Sequence, residues 1–219
     1  MPVIQKIAHQ DGQRSAVWDV KEDEFALLEM AALNQADADA YALITNPGRR
    51  LEWLAVRVLL KEFYPSPPSI IYKDNGKPFF ANCPDKISIS HSGKMVAIAL
   101  NSEETPGIDI ERLHPRILKI ANRFTGEKEK EYLGANPSIE QLTIVWGAKE
   151  VMFKVYSLGE VSFKTELMLQ PFKLSTEGIL NGFIYKGKRP ITVPMNYKQI
   201  NDFILIQTDY SHKDFEKNF

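Results

Sequence analysis

Two short segments carry the residues whose types and spacing could do chemistry. Asp109 and Glu111 alternate with isoleucines, so in a strand both carboxylates point to one face and the isoleucines to the other. In a helix, Trp146, Glu150 and Lys154 stand four residues apart and share one face. A strand with two carboxylates and a helix with a third can meet around Mg²⁺, which prefers oxygen ligands and usually shares its site with substrate phosphates. The spacing therefore indicates a divalent-cation site beside a lysine that balances phosphate charge.

Each segment also has an ordinary interpretation. Charged residues alternating along a strand most often form a solvated face, because charged side chains mostly stay exposed. A glutamate followed four residues later by a lysine is usually a helix-surface ion pair worth about 0.3 kcal/mol. The cation-site hypothesis therefore depends on the residues that surround these segments.

Composition narrows the classes of protein. With 219 residues, 44% of them hydrophobic, the chain can bury a substantial core. Its 27 basic and 28 acidic residues nearly cancel, so global charge predicts neither a nucleic-acid nor a membrane partner. The lone Cys83 excludes an internal disulfide framework and a multi-cysteine zinc site. Because we find no signal peptide and no run of about 20 apolar residues, we expect a soluble, cytoplasmic protein.

The hydrophobic pattern mixes helices with clustered antiparallel strands, which predicts an α+β fold. A capping box at Ser138 and Gln141 opens the clearest helix, which we expect to end at Gly159. A polar tail over residues 211–219 is expected to lack regular structure. The remaining predicted elements are a hairpin over residues 2–20, helices over 21–33, 47–63, 116–124 and 127–133, strands flanking Ser92-Gly93-Lys94 and at 108–111, and four strands within 167–209.

Four motifs in order resemble one family. They are Gly76-Lys77-Pro78, Ile89-Ser90-His91-Ser92, Gly107-x-Asp109-x-Glu111 and Trp146-x-x-Lys149-Glu150-x-x-x-Lys154. Together they resemble the 4'-phosphopantetheinyl transferases, specifically the long surfactin-synthetase-activating type. The resemblance implies Mg²⁺-dependent transfer of the phosphopantetheine arm of coenzyme A to a serine of an apo acyl or peptidyl carrier protein, with release of adenosine 3',5'-bisphosphate.

The resemblance also implies an architecture. Two similar α+β halves, residues 1–112 and 113–219, would be related by a pseudo-twofold axis, with coenzyme A in the cleft between them. By analogy with the long type, whose two halves lie in one chain, we expect a monomer. The carrier protein is expected to be acidic.

Site roles follow from the same resemblance. It implies Mg²⁺ held by Asp109, Glu111 and Glu150. Glu150 or Glu127 would take the serine proton, and Lys154 would assist catalysis. The residues expected to contact coenzyme A are Arg49, Arg50, Arg57, Lys77, Ser90, His91, Lys149 and Lys154.

Two other functions fit the same residues. One is a Mg²⁺-dependent hydrolase of coenzyme A or of a nucleotide phosphoanhydride, which would need no acceptor protein. The other is a non-catalytic module that binds coenzyme A or a carrier protein. The full set of three carboxylates and two lysines favours an enzyme, because clustered like charges are costly unless a bound metal offsets them.

Overall fold

The computed structural model describes residues 3–8 and 12–211. Within these ranges the helices are α1 (Glu24–Ala31), α2 (Gln35–Ala42), α3 (Pro47–Leu60), α4 (Arg116–Phe124), α5 (Glu127–Leu133) and α6 (Ile139–Tyr156). The strands are β1 (Val3–Ala8), β2 (Arg14–Asp19), β3 (Ile70–Tyr72), β4 (Pro78–Phe80), β5 (Lys86–Ser92), β6 (Met95–Asn101), β7 (Ile108–Arg112), β8 (Leu167–Leu169), β9 (Glu177–Ile184), β10 (Ile191–Ile200) and β11 (Phe203–Thr208).

The first sheet is antiparallel and has the strand order β1-β2-β6-β5. Helices α1 and α3 pack on one of its faces. There Trp18, Leu54 and Ile98 are fully buried in one core. Helix α3 opens with Asn46 as its N-cap and Pro47 in its first turn, a combination that satisfies or removes free amides at a helix start.

The second sheet is antiparallel and has the order β7-β11-β10-β9-β8. Helix α6 packs across it, and Val145, Ile204 and Ile206 are buried in the core that they share. The capping box predicted for α6 is present, because Ser138 Oγ accepts from Gln141 N at 3.1 Å and Gln141 Oε1 accepts from Ser138 N at 2.9 Å.

The two sheets contact each other through a small third core. One face of β6 presents Met95, Ala97 and Ala99, and β7 presents Ile108 and Ile110 to the same core. Alanine side chains are short, so they let the isoleucines of β7 come close to the backbone of β6. Strand β6 is consequently buried on both faces, as its continuous burial pattern shows.

A ladder of serine hydroxyls joins the neighbouring edges of the two sheets. Ser88, Ser90 and Ser92 of β5 accept hydrogen bonds from the backbone amides of residues 108, 110 and 112 of β7, at 3.1, 3.3 and 3.2 Å. Amides alternate in direction along an antiparallel strand, so these three are the ones that pairing with β11 leaves free. Side chains thus provide the bonds that main-chain carbonyls provide inside a sheet.

The mixed α+β architecture predicted from the sequence is confirmed. Helix α6 ends at Tyr156, earlier than Gly159, because Ser157 takes the left-handed conformation (φ 44°) that closes the helix. Helix α2 was not predicted, since Tyr41 is its one buried residue and it has almost no apolar stripe. The expected tail lies outside the described residues beyond position 211.

The division of the chain into residues 1–112 and 113–219 stays a prediction. Strand β7 bears on it, because this strand precedes residue 113 yet pairs with β11 in the second sheet.

Candidate active site

A cleft of about 1150 Å³ opens between the two sheet regions. Its walls come from α3, the β3–β4 turn, β5, β7, α6 and the loop that follows α6. The predicted site residues that line it are Arg49, Lys77, Ser90, His91, Asp109, Glu111, Glu150 and Lys154. Eight residues spread over more than 100 positions of sequence therefore meet in one cavity.

The three predicted carboxylates converge at the base of this cleft. The isoleucines of β7 point into the core between the sheets, so Asp109 and Glu111 face α6, which carries Glu150. Lys154 Nζ lies 2.8 Å from Asp109 Oδ1, and Trp146 Nε1 donates to Glu111 Oε1 at 2.8 Å. One face of the helix thus contacts both carboxylates of the strand.

Gly147 allows α6 to lie this close to the second sheet. A Cβ atom at this position would lie 2.5 Å from Cδ1 of Ile206 and 3.1 Å from Oδ2 of Asp109. Any larger side chain would therefore push the helix away from the carboxylates of β7.

Burial and mutual repulsion perturb the acidic groups. Burial raises the pKa of Glu111 to about 7, and the charge of Asp109 adds to this effect. The pKa of Glu150 is also raised to about 7, again by burial first and then by Asp109. Lys154 opposes both shifts. The site therefore holds more negative charge than its single lysine compensates.

The donor set fits a hard divalent cation. Oδ2 of Asp109 is buried without a hydrogen-bond partner among the described residues, and every carboxylate offers the oxygen ligands that Mg²⁺ prefers. Within residues 3–8 and 12–211, no group of three or more His, Cys, Asp or Glu side chains is arranged closely enough to hold a metal ion. The carboxylates thus offer the type of ligand that Mg²⁺ prefers, and in this structure Lys154 forms an ion pair with Oδ1 of Asp109.

A cluster of Arg49, Glu52 and His91 forms another part of the wall. Nη1 of Arg49 lies 2.9 Å from Nε2 of His91 and 3.4 Å from Oε2 of Glu52. Oε1 of Glu52 lies 3.1 Å from Nδ1 of His91. Two cation-forming groups are therefore positioned around one carboxylate at the cleft surface.

Lys77 reaches the cleft from the β3–β4 turn. Its Nζ donates to Oγ of Ser157 at 2.5 Å, and Asn75 Nδ2 lies 3.4 Å from the Ser157 carbonyl oxygen. Burial lowers the pKa of Lys77, and Lys73 and Lys86 add to the shift. This turn therefore contacts the C-terminal end of α6 across the mouth of the cleft.

Ser90 is oriented mainly toward β7. Its Oγ accepts from Ile110 N and donates to Asp109 Oδ1 at 2.8 Å. The side chain consequently fixes the carboxylate of Asp109 from the side opposite α6.

Lys149 does not line the cleft. It is fully buried, and its ammonium donates to the carbonyls of Phe124 and Phe163 and to the carboxylate of Glu129, at 2.6, 2.7 and 2.7 Å. An ammonium has three N–H donors, so none remains for a phosphate. The structure therefore gives Lys149 an internal role in place of the predicted coenzyme A contact.

Arg50, Arg57 and Glu127 also lie away from the cleft lining. Arg50 pairs with Glu24 at 2.8 Å, and the 6% exposed Arg57 stacks on the ring of Trp53. Glu127 is 80% exposed and pairs with Lys130 at 2.9 Å, so it faces solvent and not the predicted serine substrate.

Three residues of the site and its surroundings were not predicted from the sequence. Glu52 lies one helical turn after Arg49, a spacing that could have indicated an ion pair. Glu129 was missed although it stands three residues after Gly126, the capping-box spacing, and its Oε2 accepts from Gly126 N at 2.6 Å. Ser157 gave no signal, since its role depends on where α6 ends.

The helices were also compared with the length and hydrophobicity that a membrane span requires. Among the described residues, every helix is too short or too polar to cross a bilayer.

Comparison with known proteins points to one family. Residues 105–189 match the model of the 4'-phosphopantetheinyl transferase superfamily. The chain is 36% identical over 112 residues to 4'-phosphopantetheinyl transferase AcpT of Salmonella typhimurium, an alignment covering 48% of this chain and 58% of AcpT. It is 38% identical over 91 residues to 4'-phosphopantetheinyl transferase Sfp of Bacillus subtilis, covering 40% of each chain.

The alignments are partial, since the chain spans somewhat more than half the length of the AcpT relatives it matches. The AcpT of Escherichia coli gives the same result, with 37% identity over 112 residues and 57% of its length covered. The family match begins just before β7 and includes α6, the two elements that carry the carboxylates. By this match and these relatives, the part of the chain that carries the carboxylates is similar to the 4'-phosphopantetheinyl transferase superfamily.

Proposed function

We propose that this protein transfers the 4'-phosphopantetheine group of coenzyme A to a serine of an apo acyl or peptidyl carrier protein. The observation that carries the proposal is the convergence of Asp109, Glu111 and Glu150 beside Lys154 in a cleft whose wall bears Arg49 and His91. Phosphoryl-type transfer depends on positioning and charge neutralisation more than on covalent help from the protein. The cleft combines a set of oxygen ligands with a cationic wall, as such a reaction needs.

The three carboxylates would hold Mg²⁺. When bound, the cation would neutralise the negative charge of the pyrophosphate and bring it to the carboxylates. Lys154 is placed to contact the pyrophosphate once its bond to Asp109 is exchanged. Ser90 keeps Asp109 in position through a 2.8 Å hydrogen bond.

The cationic wall would bind the nucleotide end of coenzyme A. Arg49 and His91 would contact its 3'-phosphate, and Lys77 would lie at the adenine and phosphate end. Each lines the same cavity as the carboxylates. Arg50, Arg57 and Lys149 are left out of this proposal, because other partners hold them away from the cleft.

Glu150 is the candidate general base. A general base must come within reach of the serine hydroxyl, and Glu150 lines the cleft beside the other two carboxylates. Glu127, the rival expected from the sequence, faces solvent outside the cleft lining. We therefore assign removal of the serine proton to Glu150, directly or through a water molecule.

Partners, architecture and location complete the proposal. The partners would be coenzyme A and an acidic apo carrier protein, with no nucleic acid or membrane, and the protein would act as a cytoplasmic monomer. Each sheet carries its own packed helix, α3 on the first and α6 on the second. This arrangement supports two similar halves related by a pseudo-twofold axis. We keep the division into residues 1–112 and 113–219 as part of the proposal, with β7 of the first half pairing into the second sheet.

The test is the intact mass of an apo carrier protein incubated with the protein, coenzyme A and MgCl₂. A gain of one phosphopantetheine is expected, abolished by EDTA and by Asp109→Ala. Glu127→Ala is the matched control, since it removes a carboxylate outside the cleft and should leave the gain intact. Coenzyme A breakdown without carrier modification would instead establish a hydrolase. Coenzyme A binding with neither reaction, across several carriers, would establish a binding module.

A further inference from the structure

Glu52 is the one carboxylate in the described part of the chain that contacts both Arg49 and His91. It lies on α3 one turn after Arg49, and its side chain is 25% exposed at the cleft surface. One of its oxygens lies 3.1 Å from Nδ1 of His91, and the other lies 3.4 Å from the Arg49 guanidinium. The sequence motifs did not include this residue, so its role has to come from its contacts.

The contacts define where the imidazole proton lies. A guanidinium can only donate hydrogen bonds, so Nε2 of His91, at 2.9 Å from Arg49 Nη1, must accept. A neutral imidazole then carries its proton on the other nitrogen, Nδ1. Oε1 of Glu52 lies 3.1 Å from this nitrogen and is the carboxylate oxygen closest to it among the contacts described. The free protein therefore holds His91 neutral, as the Nδ1–H tautomer.

This state cannot donate to a phosphate group. Phosphate oxygens at neutral pH are acceptors, and Nε2 in the free protein is an acceptor as well. A phosphate between Arg49 and His91 thus requires two changes: the guanidinium turns from the imidazole to the phosphate, and Nε2 gains a proton from solvent. The resulting imidazolium would donate to the phosphate from Nε2 and to Glu52 from Nδ1.

The surroundings of His91 agree with a neutral imidazole in the absence of an anion. Burial lowers the pKa of His91, and the charges of Arg49 and Lys154 lower it further. Glu52 and Asp109 oppose the shift without cancelling it. A bound phosphate dianion would add negative charge directly at Nε2 and favour the protonated form.

We propose that Glu52 is a positioning residue that holds His91 by Nδ1 and stabilises its imidazolium when a phosphate of coenzyme A binds, so that binding takes up one proton. The inference rests on the proposed function, since it takes coenzyme A as the ligand of this cleft. The inference adds Glu52 to the residues that act on the bound phosphate, and it adds the uptake of one proton to the binding step.

Two variants separate position from charge. In Glu52→Gln the amide oxygen can still accept from Nδ1–H, so the tautomer is kept and only the negative charge is lost. Glu52→Ala removes both. Thermal unfolding of each variant shows whether it is folded before its binding is compared.

Calorimetric titration supplies the first readout. Coenzyme A and 3'-dephospho-coenzyme A are titrated at pH 7.5 with MgCl₂, in buffers that differ in ionisation enthalpy. For the wild type we expect coenzyme A to take up nearly one proton more than the dephospho compound. Glu52→Gln should lose most of this difference and weaken coenzyme A binding by roughly 3- to 10-fold, with dephospho-coenzyme A unaffected. Glu52→Ala should weaken it further.

Imidazole ¹⁵N shifts of His91 supply the second readout, which a purely structural role of Glu52 would not change. We expect the Nδ1–H tautomer in the free wild type and in free Glu52→Gln, and a doubly protonated ring in the wild-type complex alone. Equal proton uptake by both coenzymes, or a neutral ring in the wild-type complex, would overturn this inference and leave the proposed function standing. Failure of the wild type to bind either coenzyme would overturn both.

Discussion

Replacing Lys149 by methionine tests whether this lysine holds the second sheet region together or contacts coenzyme A. The structure assigns it three buried hydrogen bonds, to Glu129 and to the carbonyls of Phe124 and Phe163. Removing one partner of a buried ion pair typically costs about 3–5 kcal/mol, because the remaining charge stays buried. Methionine refills most of the space of the lysine stem, so the loss comes from the ammonium itself.

The expected magnitude follows from what is left behind. Glu129 would keep the amides of Gly126 and Leu169 as partners, at 2.6 and 3.0 Å, but no cation. We therefore expect Lys149→Met to lower the free energy of unfolding by about 3–5 kcal/mol. For a chain of this size that corresponds to a Tm lower by roughly 6–20 °C.

Chemical denaturation and thermal scanning measure this loss against Lys130→Met. That control makes the same substitution at an exposed ion pair with Glu127, where the expected loss is under about 1 kcal/mol. A double variant, Lys149→Met with Glu129→Gln, should recover part of the stability, because it removes the unpaired charge and keeps an oxygen that can accept from one of the two backbone amides. Near-identical stability of Lys149→Met and Lys130→Met, together with lost coenzyme A binding in the former, would refute the reasoning and return Lys149 to the cleft.

Three further predictions concern the cleft and the seam between the sheets. The pKa values of Glu111 and Glu150 are raised from 4.5 to about 7, so the folded chain keeps protons that the unfolded chain loses. Without divalent cations, the free energy of unfolding should therefore fall by roughly 1–3 kcal/mol as the pH rises from 4.5 through 7. In urea titrations, MgCl₂ should restore more of this free energy at pH 8 than at pH 5.5. Equal gains at both pH values would contradict this prediction. Gly147→Ala should lower the unfolding free energy by about 1–3 kcal/mol, because its methyl group meets Ile206, and unchanged thermal unfolding would show that α6 can move away freely. Ser88→Ala should cost about 1 kcal/mol through the unpaired amide of residue 108, whereas Ser88→Thr should retain most of that in the same assay; equal losses would exclude the hydroxyl as the cause.

Much of the site was readable because it depends on local periodicity. Alternation along a strand was enough to predict that Asp109 and Glu111 share a face, and the four-residue spacing of Glu150 and Lys154 was enough to predict a common helix face. The structure brings all four side chains to one cleft. The meeting of these side chains in one cleft depends on the pairing of β7 with β11 and on the packing of α6. These long-range contacts cannot be predicted from a short segment of sequence.

The misplaced residues show where periodicity stops helping. Lys149 and Glu150 are neighbours about 100° apart on the helix, and the sequence alone does not say which of them faces the core. A lysine in a helix is normally predicted to be exposed. Burial of Lys149 could be predicted only from its buried partner, Glu129, which lies in another helix. Arg57 was ambiguous in the same way, because its stacking on Trp53 depends on which face of α3 meets the first sheet.

The serine ladder between β5 and β7 also controls where the carboxylates sit along the cleft. Because serines occupy every second position of β5, sliding β7 by one residue would oppose its three amides to the residues between the serines, which carry no hydroxyl, and all three bonds would be lost. Sliding the second sheet by two residues would keep two of the bonds but would carry Asp109 about 7 Å along β5, away from Ser90 and from Arg49 and His91. The hydroxyl spacing therefore leaves only one alignment of the two sheets in which all three amides are satisfied and the acidic groups face Arg49 and His91. A change of serine pattern in β5 would be expected to alter the active site before it altered the fold.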